Sequence, residues 1–357
     1  LAERAAESFA QFRNLLPSLQ YGHNPPRFPF RWKVERALPE SNPSFVLRDS
    51  LLSSVSAKIP AVAAGRATRL ALIAVFAGAI TIGFAPILVR LSQVGPSATA
   101  FWRVLFALPV LWLLMTLESR GSNPARPPST WVDYRALIVG GIFFTGDLAF
   151  WHWSINYTTV ANATLLVNFA PVFVTLGSWL LFRHRVSRTF ITGLVVALLG
   201  ISLLIGTSFT LNFQYFFGDF LALIAATFYA GYQLSVKYLR GEFSTATIMS
   251  WNGVAMCAIL LPVSLLSREV FIPLDIQGWL VLIALALLIH IAGQGLIAFA
   301  LAHLPATFSS VTLLLQPVMA AIFAWILLSE TLDPRQALGG AIVLAGIFVA
   351  RRGSQTG

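Results

Sequence analysis

Between Arg69 and Arg352 the chain carries ten hydrophobic runs, and the second five repeat the first five. Gly193–Gly200 aligns with Gly339–Gly346, Pro171 with Pro317 and Trp179 with Trp325, all at an offset of 146 positions. No gap is needed from Thr159 through Gly200, and upstream the offset changes by one, so that Gly146-Asp147 aligns with Gly293-Gln294. A helix needs about 20 mostly apolar residues to cross hydrocarbon. The runs fall at 70–90, 96–117, 136–156, 158–182, 189–208, 218–237, 244–266, 278–301, 305–329 and 336–350. The tenth is the shortest, and Arg351 and Arg352 are expected to stop it. Five spans per repeat is an odd number, so the two halves must enter the bilayer in opposite orientations. The expected fold is an all-α polytopic membrane protein of ten transmembrane helices in two inverted five-helix repeats, residues 67–209 and 214–352. The runs are continuous rather than alternating, which excludes a transmembrane barrel.

Composition agrees: 57% of residues are hydrophobic and only 11% charged, too apolar for an ordinary soluble domain. The net charge of +10 would suit a polyanion, but its distribution points to topology. Cytoplasmic loops of membrane proteins collect Lys and Arg. With the N-terminus inside, thirteen basic residues fall on the inner side: Lys58, Arg66, Arg69, Arg120, Arg126, Arg135, Arg183, Arg185, Arg188, Lys237, Arg240, Arg351 and Arg352. Only Arg90, Arg268 and Arg335 fall outside. Both termini are therefore expected in the cytoplasm, and no nucleic-acid partner is implied. Residues 1–66 mix charges of both signs with Pro25-Pro26, Pro29, Pro39 and Pro43. They begin with Leu, lack a secretory-signal pattern, and are read as a tail, disordered or artefactual. One cysteine, Cys257, rules out a disulfide framework or multi-cysteine metal site.

Polar groups at membrane depth carry the remaining information. An ionisable side chain in hydrocarbon costs about 2.5–3.5 kcal/mol, so it faces a cavity or a partner. Asp147 stands near the middle of the third run, with Trp151 on its face and His152 about 100° further round. It is either a group that binds a substrate ammonium or takes up a proton, or a structural acid bonded to a neighbouring helix. Arg103, inside the second run, either grips a carboxylate, snorkels outward or pairs with Asp147. His152 and His290 are candidates for proton coupling because imidazole titrates near neutral pH, with packing as the alternative. Asn162 and Asn168 in the fourth run, and Ser310 and Gln316 in the ninth, stand on the two helices related by the 146 offset. Small polar groups there either bind substrate or join helices at about 0.6 kcal/mol each. Gln294 is the uncharged partner of Asp147, and Gln233 with Tyr232, and Trp251 with Asn252, are further candidates. Pro171 and Pro317 each delete a helical backbone bond and are expected to kink the paired helices.

The strings Phe84-Ala85-Pro86-Ile87-Leu88-Val89-Arg90-Leu91-Ser92 and Ala100-Phe101-Trp102-Arg103 resemble the first two spans of EamA-type members of the drug/metabolite transporter superfamily. So do Val160-Ala161-Asn162-Ala163-Thr164-Leu165-Leu166 through Ala170-Pro171, and Thr307-Phe308-Ser309-Ser310-Val311 through Gln316-Pro317 followed by Ser329-Glu330. The resemblance implies two inverted five-helix repeats that export small metabolites, such as amino acids, across the bacterial inner membrane. One departure is visible: the first repeat reads Phe182-Arg183-His184 where the second reads Leu328-Ser329-Glu330. Inverted repeats with a site near mid-membrane are common in secondary transporters. No zinc motif, paired aspartate, nucleophile elbow or phosphate loop argues for a membrane-embedded enzyme. The expectation is a carrier working by alternating access, without cofactor, metal or catalytic residues. Its partners are a small-molecule substrate and the lipid bilayer; organic-cation efflux and metabolite uptake are the alternatives. Monomer and homodimer stay equally open.

Overall fold

The computed structural model describes residues 66–120, 125–205, 215–329 and 333–354. Residues 1–65 of the tail lie outside them. The described chain is helical, in ten successive spans: α1 (Arg66–Arg90), α2 (Pro96–Ser119), α3 (Trp131–Ile155), α4 (Val160–Val167 with Ala170–Phe182), α5 (Arg188–Ile205), α6 (Phe216–Leu239), α7 (Thr245–Leu266), α8 (Ile276–His303), α9 (Ala306–Thr312 with Leu315–Leu328) and α10 (Pro334–Ser354). Eight of these are long and apolar enough to cross a membrane. The other two, α3 and α6, have 25 and 24 residues and carry several of the polar side chains described below.

Local chemistry sets the helix starts. Thr130 and Asp133 form a reciprocal capping box on α3, the Asp133 amide donating to Thr130 Oγ1 at 3.2 Å and the Thr130 amide to Asp133 Oδ2 at 3.0 Å. Ser244 caps α7 and Asp275 caps α8. Pro96 opens α2, where its missing N–H leaves no bond unmade. Two spans that read as continuous are broken. In α4 the helix ends at Asn168 and resumes at Ala170; in α9 it ends at Leu313 and resumes at Leu315. Each break lies about one turn before the matched proline, whose ring excludes the normal bond there. The repeat extends to the far ends of these helices, which both close on a left-handed residue, Arg183 (φ 52°) and Ser329 (φ 56°). These are the same position, 146 apart. The tenth span corrects the expected stop: α10 runs on to Ser354, with Arg351 and Arg352 in its last turn. There the Arg352 guanidinium lies 4.5 Å from the centre of the Phe348 ring, a cation–π contact that keeps the charge at the helix end.

The orientation of the repeats is written in the contact of α5 with α10, which pack along their length. A Cβ on Gly200 would stand 2.6 Å from the Val343 nitrogen, and one on Gly339 2.6 Å from the Leu204 nitrogen. Gly193 meets the Ala350 backbone and Gly346 the Ala197 backbone still more closely. Partners therefore run in opposite directions along the two helices, and each contact recurs with the repeats exchanged. That is an antiparallel pair about a pseudo-two-fold axis, as inverted repeats require. Small residues let the backbones approach where no hydrophobic drive separates helix from lipid.

Loops obey the same symmetry. At the basic end Arg126 Nη2, in the α2–α3 loop, reaches Asp133 at 2.6 Å and Glu242 of the α6–α7 loop at 2.9 Å. Those carboxylates, Asp133 first, raise the Arg126 guanidinium further above its ordinary value. At the opposite end the α7–α8 loop reaches the α1–α2 region, where the Ser97 amide donates to Glu269 Oε2 at 2.9 Å and Trp102 Nε1 to the Phe271 carbonyl at 2.8 Å.

Gly346→Leu should overpack the α5–α10 contact and lower stability by about 3 kcal/mol. Leu199→Ala, on a residue 62% exposed, should leave it unchanged. Thermal melting of the purified protein in detergent checks both.

Candidate functional site

Asp147 is buried in α3 and carries no ion pair within 4.0 Å among the described residues. Its electrostatic neighbour is Arg103 of α2, and Arg103 in turn faces Tyr232 and Tyr229 of α6. Tyr229 faces Gln316 of α9 and Gln294 of α8. His290, on α8, lies in the electrostatic field of Arg103, and its ring lies parallel to Phe144 at 6.3 Å between centroids. Phe144 also stacks on Tyr232 at 4.4 Å. Five helices from both repeats thus converge on one cluster of an acid, a guanidinium, two amides, an imidazole and three aromatic rings.

The cluster holds several of the buried polar atoms whose hydrogen bonding is unmet among the described residues. Among the described residues, Arg103 Nε, His290 Nδ1, Gln294 Oε1 and Gln316 Nε2 are buried without a hydrogen-bond partner. Such a group ordinarily finds one, because leaving it bare costs roughly 1–3 kcal/mol. Bare groups from both repeats in a region where water is scarce are open to a polar molecule that would complete their bonding. Arg103 and Gln316 are only half-buried as residues, so the cluster is not sealed. Donors and acceptors of both signs suit a zwitterion: Arg103 for a carboxylate, Asp147 for an ammonium, Gln294 and Gln316 for either.

Backbone geometry places these groups. Phe144 and Asp147, three apart, share a face of α3, as do Tyr229 and Tyr232 on α6. On α8 the segment Leu285–Gln294 is a π-helix, and it holds both His290 and Gln294. Such wide turns are frequent at functional sites. Gln316 follows the break in α9, next to Pro317.

Other sequence candidates take different places. Asn162 is fully buried and its Nδ2 donates to Asp219 Oδ1 at 3.1 Å, while Thr158 Oγ1 donates to the same oxygen at 2.6 Å. It ties α4 to the start of α6. Asn168 Nδ2 donates to the Thr164 carbonyl at 2.7 Å, and Ser310 Oγ to the Thr307 carbonyl at 2.8 Å, each within its own helix. Gln233 is buried with Oε1 unpartnered, one residue beyond Tyr232. Trp151 is half-buried on α3, and the His152 side chain lies outside the described ones. Among the described residues no cluster suited to a metal ion occurs. Tyr229 and Phe144 were not singled out from the sequence; their signal is the i, i+3 spacing to Tyr232 and Asp147.

Residues 69–206 and 216–352 each match the model of the EamA-like transporter family. The chain is 26% identical over 267 residues to an uncharacterized transporter of Archaeoglobus fulgidus, covering 73% of this chain and 89% of that one. It is 26% identical over 216 residues to the pseudopaline exporter CntI of Pseudomonas aeruginosa, covering 60% and 74%. A solved crystal structure shares the fold with a TM-score of 0.67 at 18% identity, over 82% of this chain and 99% of that one.

Gln294→Leu should remove a group that holds no bond through its Oε1. Melting should stay within about 1 kcal/mol of wild type, while transport falls at least about tenfold. Loss of stability in step with transport would instead mark Gln294 as structural.

Proposed function

The chain belongs to the EamA-like transporter family, and we propose that it is a secondary carrier of the bacterial inner membrane exporting amino acids or similar zwitterionic metabolites by alternating access. The observation that carries this reading is that Arg103, beside Asp147, and His290, Gln294 and Gln316 in the same cluster hold buried polar atoms with no partner among the described residues. Its two opposite charges do not neutralise one another by direct contact, so each is available to an end of a zwitterion. A relative named as a pseudopaline exporter supports outward transport. Both termini lie in the cytoplasm in this proposal, which puts the basic end of the bundle inside. The two repeats, residues 67–209 and 214–352, act as its halves, with the segment before them a tail.

Alternating access draws support from an asymmetry between matched segments. All seven residues of Ala306–Thr312 in α9 are buried, and that segment packs on the Ala170–Phe182 half of α4, closing the basic end. Its counterpart in α4 is looser: Thr164, Leu166 and Val167 are only half-buried, and among the described residues it makes no comparable contact with Leu315–Leu328. Exchanging those two arrangements would open the basic end and close the other. Because the halves have the same sequence frame, the exchange amounts to swapping their conformations. Proton coupling through Asp147 and His290 is the proposed drive.

The full chain in liposomes should catalyse counterflow of a labelled amino acid, accelerated by an imposed pH gradient, and Asp147→Asn should abolish it. Exchange that survives the substitution would make Asp147 a structural acid. Exchange of organic cations with no amino acid exchanged would replace the substrate class by multidrug efflux.

A further inference from the structure

The loop between α4 and α5 holds Arg183, His184 and Arg185, with Arg188 opening α5. Duplication does not account for them, since the matched loop begins Ser329-Glu330. Beside this loop ends α10, with Arg351 and Arg352 in its last turn. Ser187 joins the two, its Oγ donating to the Gly353 carbonyl at 2.7 Å. Five arginines therefore gather at one corner of the bundle. No Asp or Glu occurs anywhere in α4, α5, α9 or α10, the helices that meet there. Among the described residues, the ion pairs are those of Arg126, and none reaches this corner. Like charges held together without a carboxylate repel one another and attract an anion.

At this corner a notch with room for no more than about one water is lined by His184, Arg185, Ser187 and Phe190 on one wall, and by Thr307 and Ser354 on the other. Below it the surface turns apolar: Trp179 and Phe182 on α4, Ile191 and Val195 on α5 and Phe348 on α10 are all exposed. A basic corner beside an apolar belt matches one class of molecule, an anion attached to acyl chains. We propose that the outer surface of this basic corner binds the headgroup phosphate of an anionic phospholipid, with the arginines around the phosphate and the acyl chains along α5 and α10. The glycine-packed α5–α10 pair leaves its outward faces free for those chains. Lipid bound there bridges the α4–α5 loop of the first repeat and α10 of the second.

The test uses delipidated full-length protein in detergent, with lipid retention read by native mass spectrometry and stability by thermal melting. Phosphatidylglycerol should be retained and should raise the melting temperature; phosphatidylcholine and inorganic phosphate should do neither. Arg183→Gln/Arg185→Gln/Arg188→Gln should weaken phosphatidylglycerol retention about a hundredfold. Arg120→Gln/Arg135→Gln, which removes arginines from the end of α2 and the start of α3 at the same end of the bundle, should retain it like wild type. Equal retention of phosphatidylcholine by the wild-type protein would overturn the proposal without any variant. So would an equal effect of free phosphate, unchanged retention in the triple variant, or an equal loss in the Arg120/Arg135 variant.

Discussion

The close approach of α5 and α10 is the constraint on which the rest of the architecture depends. Four glycines, two from each repeat, bring the backbones together where any side chain would collide with main-chain atoms. In a bilayer this packing has no hydrophobic drive behind it, so shape complementarity must supply the association. Because the same glycines recur in both halves and the helices run antiparallel, one contact surface serves twice. It fixes the pseudo-two-fold axis, and that axis brings α3 beside α6 and sets α8 across from them. The polar cluster is a consequence of this geometry: Asp147 and its repeat partner Gln294 can approach one region only if the halves are inverted about it.

The polar groups are then sorted by whether the fold can satisfy them. Asn162, Asn168 and Ser310 have partners in their own helix or across a helix junction, and they help hold the bundle together. Arg103, His290, Gln294 and Gln316 hold buried atoms that meet no partner among the described residues. The cost of leaving them bare is of the kind stored at binding sites, where a ligand recovers it. Symmetry places the cluster near the middle, but its chemistry is asymmetric, with the acid and the guanidinium both in the first repeat and the amides in the second.

Much of this was legible in the sequence, for definite physical reasons. The duplication, the spans and the matched prolines depend on local composition and on the 146-residue frame, and both are visible without coordinates. Asp147, Arg103, His290, Gln294 and Gln316 stood out because charge and amide groups are rare at that depth. The breaks at Asn168 and Leu313 were foreshadowed by the prolines but displaced one turn from them, because the ring acts on the preceding turn. What could not be read was pairing across the chain. Asn162 finds Asp219 at a distance of 57 positions, and no periodicity announces it. Tyr229 escaped notice because a tyrosine in an aromatic-rich helix looks ordinary until its hydroxyl is found among amides. The end of α10 was set too early because arginine reads as a stop in hydropathy, whereas its long side chain lets the helix continue while the charge lies over a ring.

The π-helical stretch of α8 records how the halves grew apart. Thr130 and Asp275 cap equivalent helices 145 positions apart, yet Gly146-Asp147 and Gly293-Gln294 correspond at 147. The second copy therefore carries two more residues between its cap and the cluster. In an ordinary helix two extra residues would rotate everything beyond them by about 200° and turn Gln294 away from Asp147. Wider turns, each absorbing about one residue more than an α-turn, take up the surplus over Leu285–Gln294. An insertion was thus accommodated inside a transmembrane segment without loss of facing. The surplus sits in the wide turns, and Gln294 keeps the place in the frame that Asp147 holds in the first half.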